Sequence, residues 1–172
     1  MMKKTVCFII LGFLLLCITI GLCLYTIPAT VAINNTLQAT KLDHNGNVIG
    51  TDEIALQGAF KNYLFKDDTL ELSVGSFGTF NSIILANDNR GNTSIVPVVF
   101  ADFYVMTFMA WDNTKDQSIF GTITTSQDFE YWVFRVNHND NPEYYVASAS
   151  GEHTPDEIVQ YFKGIAPGYE AP

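Results

Sequence analysis

The chain has 172 residues, 48% of them hydrophobic, and carries 18 acidic against 9 basic side chains for a net charge of −9. Such a balance repels polyanions at long range and excludes nucleic-acid binding. Its cysteines, Cys7, Cys17 and Cys23, all precede residue 24, so the rest of the chain has neither disulfides nor a cysteine nucleophile and must rely on a packed core.

Lys3 and Lys4 are followed by no charged residue until Lys41. The apolar run between them, residues 5–27, reaches roughly 34 Å as a helix, enough for a hydrocarbon core of about 30 Å. It is longer than the roughly 7–15 apolar residues of a secretory signal. Residues 1–4 read as a cytoplasmic stub and 5–27 as a transmembrane anchor or uncleaved signal, with Lys3 and Lys4 inside and the C-terminal domain outside. Pro28 ends the helix, and Thr30-Val31-Ala32 offers small residues to a signal peptidase, so secretion after cleavage following Ala32 is the alternative. Leu16 before Cys17 and Leu22 before Cys23 argue against lipidation, and Cys17 stands where a pilin processing site has a glutamate. Without Lys3 and Lys4 the exported part carries −11. Acidity without disulfides suits the outer face of a bacterial cell, that of a Gram-positive in particular.

Residues 28–40 read as a linker or first strand, 41–165 as one extracytoplasmic α+β domain and 166–172 as a frayed tail. Asn45-Gly46 between two extended runs predicts a type I′ hairpin. Residues 54–58 and 63–65 read as strand material. Leu70, Leu72 and Val74 alternate with Glu71 and Ser73, the period of a half-buried strand, and residues 80–85 resume it before the turn-rich 87–92. Residues 97–111 are apolar nearly all round and lean towards a buried helix, although their Val, Phe and Tyr favour a strand. Residues 119–124, 131–136 and 144–148 predict further strands. The clearest element is the last: Thr154-Pro155-Asp156-Glu157 is a capping box with Pro at the first helical position, and Gly164 is the expected stop. Strands followed by one amphipathic helix predict an antiparallel sheet covered by that helix, with a β-sandwich as the alternative if 97–111 is extended.

No catalytic motif emerges. Asp43, Asn45 and Asn47, and likewise Asn87, Asp88 and Asn89, have the spacing of oxygen ligands but fail the calcium-loop pattern, and turn chemistry explains them. His44, His138 and His153 lack zinc spacing. Neither a metal nor a cofactor is expected. The weak catalytic candidates are Asp128, Glu130, His138 and Asp140, an acid/base set on two loops. The stronger candidates are aromatic: Tyr131, Trp132, Phe134, Tyr144 and Tyr145 fall on two neighbouring strands. Alternation sends Trp132 and Phe134 to one face and Phe129, Tyr131 and Val133 to the other. An uncovered row would bind a protein or cell-wall partner; otherwise one row fills the core and the other lies under the helix. These features favour a membrane-tethered binding, sensing or accessory domain over an enzyme. The alternatives are a hydrolase with an acidic site and an immunity or inhibitor protein facing a basic toxin.

Overall fold

The computed structural model describes residues 2–65, 67–85, 98–100, 103–137 and 141–166. Helix α1 (Met2–Thr26) leads directly into β1 (Ala29–Leu42), followed by β2 (Val48–Asn62), β3 (Thr69–Val74), β4 (Phe80–Leu85), β5 (Val98–Phe100), β6 (Phe103–Asp112), β7 (Gln117–Ser126), β8 (Tyr131–Val136), β9 (Glu143–Ser148) and α2 (Pro155–Ile165). Among the described residues no helix is long and apolar enough to cross a membrane.

All strand pairs are antiparallel, in the order β3-β2-β1-β9-β8-β7-β6-β4, with β5 beside β6. Apart from the β1–β9 pair, neighbours in space are neighbours or near-neighbours in sequence, so the sheet is an up-and-down meander curled into a near-barrel. It is not a β-sandwich. β3 and β4, the two ends of the order, lie against each other. Inward residues of every long strand fill the interior, among them Ile33, Leu37, Ile54, Leu56, Phe108, Ile123, Trp132 and Phe134. A second, smaller core lies outside the ring, where Ile158, Val159 and Phe162 of α2 cover Leu42, Phe103, Val133, Tyr144 and Val146.

The capping box forms as expected, with the Thr154 hydroxyl accepting from the Glu157 amide and the Glu157 carboxylate accepting from the Thr154 amide. The backbone bonds from Thr154 hold the Glu157 carboxyl below its usual range. Gly164 does not stop α2, which runs to Ile165 and closes with the Ala166 amide on the Phe162 carbonyl. The tail beyond Ala166 lies outside the described residues.

Other expectations are corrected. Residues 98–100 and 103–112 are strands, not a buried helix; inward Met106, Phe108 and Ala110 alternate with outward Thr107, Met109 and Trp111. The Asn-Gly hairpin is not a two-residue type I′ turn. Only Gly46 takes positive φ, at 83°, and the Asp43 carboxylate accepts from the Asn45 and Asn47 amides, each at 2.8 Å, in a wider loop. The hydrogen bonds from Asn47 and Asn45 lower the Asp43 pKa, so this carboxylate is taken up by its own turn. Residues 63–65 are not a strand but part of the β2–β3 turn. Phe129 belongs to the interior rather than to the Tyr131 face, because it sits in a turn at φ 60°, where strand alternation does not apply.

Candidate functional surface

The predicted aromatic row is built into the packing. Trp132, Phe134 and Tyr145 are fully buried inside the ring, and Tyr144 is buried under α2. Tyr131 is half-buried against His153 and Tyr161, at ring separations of 5.0 and 4.8 Å. The acid/base candidates do not assemble among the described residues. The Asp128 carboxylate accepts from the Ser126 hydroxyl at 2.5 Å, and Glu130 accepts from the Ser150 amide and hydroxyl, so both organise the turn before β8. His138 and Asp140 lie outside the described residues, as does the 87–92 loop. Among the described residues, no group of three or more His, Cys, Asp or Glu is placed to hold a metal ion.

An ionisable cluster does fill one end of the ring. Lys41 contacts Glu143 at 2.8 Å and lies 5.4 Å from the Tyr145 ring centroid, while Phe77 packs edge-on against that ring at 4.8 Å. Asp112 is fully buried and accepts from the Thr114 amide and hydroxyl. Burial first, then the negative charges of Glu143, Asp52 and Asp112, push the Tyr145 hydroxyl far above the usual tyrosine range. With the folded pKa raised, the stability this confers is complete below about pH 10 and is lost as pH climbs towards the folded value. Thermal unfolding at increasing pH should therefore show an alkaline fall that is shallower in Tyr145→Phe, by up to about 1.4 kcal/mol per pH unit for the one proton removed. Tyr104 and Tyr131, also raised by burial, leave a slope common to both proteins. Identical slopes would show that Tyr145 does not carry the effect.

The exposed apolar residues lie elsewhere, on the outer face of β4, β6 and β7. Ile84 is paired with Met109, and Met109 with Phe120, so three apolar side chains form one lateral row; Trp111 stands two residues along β6 on the same face. Phe120 is 64% exposed and Ile84 56%, and Met109 and Trp111 are also exposed. Cross-strand neighbours stand about 4.5–5.5 Å apart at Cβ, so the row is continuous.

Local backbone geometry puts Ile84 there. Three steps along β4, from Asn81 to Ile84, match two along β6, from Trp111 to Met109, and Ser82 within this bulge has φ 50°. Unbroken alternation from inward Phe80 would turn Ile84 inward. The extra residue reverses the parity, so Leu85 enters the core and Ile84 faces out. Asn81, Thr107, Ser118 and Thr122 flank the row on the same face, and Arg135, the β8 partner of Thr122, stands at its edge. In a chain of net charge −9 this is an apolar row with a polar rim that holds one cation, Arg135.

No protein family model, curated protein or solved structure matches this chain. The surface thus rests on its own geometry.

Proposed function

We propose that this is a membrane-tethered extracytoplasmic interaction domain that presents the Ile84–Met109–Phe120 row, with Trp111, to a protein partner. The observation carrying this reading is the exposure of four large apolar side chains together on one face, inside a polar rim. A monomer gains nothing by leaving such a row in water, whereas a partner that covers it removes apolar surface at about 25 cal/mol per Å². The apolar row, with the cation Arg135 at its edge, favours an apolar protein surface over a basic toxin or another cationic ligand. Tethering is supported by the uncharged residues 5–27 and by the continuous 25-residue helix over most of them, with Lys3 and Lys4 on the cytoplasmic side.

A photo-crosslinking side chain placed at Phe120 in the full-length chain in its native membrane should yield one defined protein adduct. The same probe at Gln57, exposed on the outer side of β2, should not. Met109→Lys, an outward change that leaves the core untouched, should weaken the captured partner's binding by about tenfold or more, as expected at the centre of an interface. Equal adducts at both positions, or none at Phe120, would overturn the assignment.

A further inference from the structure

A second exposed apolar group lies at the opposite end of the ring from the ionisable cluster. Leu64 and Phe65, 63% and 60% exposed, occupy the turn between β2 and β3. This turn is held at its base: Asp68 accepts from the Tyr63 amide at 2.9 Å and from the Asn62 side chain at 3.3 Å. The two side chains are thereby displayed at the tip of a pinned turn instead of folding back on the sheet.

The register of β1 fixes where this turn lies relative to α1. Asn62 is the strand partner of Ala29, Lys61 of Thr30 and Phe60 of Val31. Ala29 follows the last residue of α1, Thr26, by three positions. The Leu64–Phe65 tip therefore stands within a few residues of the helix exit. Ile27 and Val31, both exposed, add to the apolar surface at the same end.

We infer that Leu64 and Phe65 form a second membrane contact, inserting into the outer interfacial layer beside the point where α1 leaves the bilayer and fixing the tilt of the ring on the membrane. The inference rests on the tethered reading of α1. A bilayer is the occupant that this position selects, because only the surface crossed by α1 is necessarily within reach of both the helix exit and the tip. An aromatic next to an aliphatic side chain is suited to the headgroup boundary. The turn also explains what two apolar residues do at a tip where polar turn formers are the rule.

The test uses the full-length chain reconstituted in phosphatidylcholine vesicles, with and without lipids brominated near the headgroup. Phe65→Trp adds a reporter to a background of buried Trp132 and of Trp111 at the far end of the ring. Brominated lipid should quench about half or more of the added emission, as expected for an interfacial side chain. Val48→Trp, on an exposed residue at the opposite end, should remain unquenched. Vesicle flotation and resistance to alkaline extraction are measured on the same samples. Flotation without quenching of the Phe65→Trp signal would overturn the second contact while leaving the anchor in place. Equal quenching at both positions would overturn it too, since the ring would then lie along the surface. Failure to float would overturn the anchor and this inference with it.

Discussion

Trp132→Ala is expected to lower the stability of the domain by about 3–5 kcal/mol, a large share of the roughly 5–15 kcal/mol that holds a domain folded. The indole is fully buried inside the ring, stacked on Phe134 at 6.2 Å and packed against Phe129 at 6.0 Å. Removing it opens a cavity beside the Phe129 and Phe134 rings in the packed interior. It also removes the hydrogen bond from the indole Nε1 to the Phe129 carbonyl, 2.8 Å long. That bond steadies Phe129 in a left-handed conformation, at φ 60°, which a bulky residue rarely adopts. Trp132→Phe separates the two contributions, since it keeps most of the volume and loses the donor. Chemical unfolding of the three proteins should rank wild type above Trp132→Phe above Trp132→Ala. A loss below 1 kcal/mol for the alanine variant would contradict this description of the core.

Gly58→Ala carries the second large effect, for the opposite reason. Gly58 lies in β2 between Ile33 of β1 and Leu72 of β3. A Cβ at this position would stand 1.9 Å from the Glu71 carbonyl oxygen and 2.9 Å from the Leu72 Cα. Both are backbone atoms, so no flexible side chain can yield, and β3 must move away from β2. A destabilisation of at least about 1–3 kcal/mol follows from overpacking alone. Hydrogen exchange should show it as lost protection concentrated in residues 69–74, with β7 and β8 less affected. Unchanged exchange in β3 would refute the close approach.

Where the sequence was readable, several local rules pointed the same way. Thr154, Pro155 and Glu157 specify the start of α2 through capping, ring geometry and charge at once, and the helix begins there. Leu70, Leu72 and Val74 alternate cleanly because β3 has one buried and one wet face. Residues 97–111 misled for a physical reason. Outward Met109 and Trp111 are apolar and alternate with inward Phe108 and Ala110, so period two vanished and the segment looked uniformly buried. Beyond them Asp112 points inward and is buried. The proposed binding row was thus hidden by the property that makes it a candidate surface. Ile84 was hidden differently, since its outward direction depends on the bulge at Ser82, which no composition rule announces. The aromatic row of β8 and β9 was visible, but whether it faced the core depended on ring closure, a long-range property.

The β1–β9 pair has a consequence for the order of assembly. Every other neighbouring pair joins strands close in sequence, whereas β1 meets β9 through only three residue pairs, Thr40–Val146, Lys41–Tyr145 and Leu42–Tyr144. Bringing together segments roughly a hundred residues apart in an otherwise open chain costs about 4 kcal/mol in closure entropy, far more than any of the local hairpins. The β1–β3 meander can therefore form while the C-terminal strands are still being synthesised, and its docking on β9 comes late in assembly. The Lys41–Glu143 ion pair, 2.8 Å long, clasps this late seam beside its three backbone pairs.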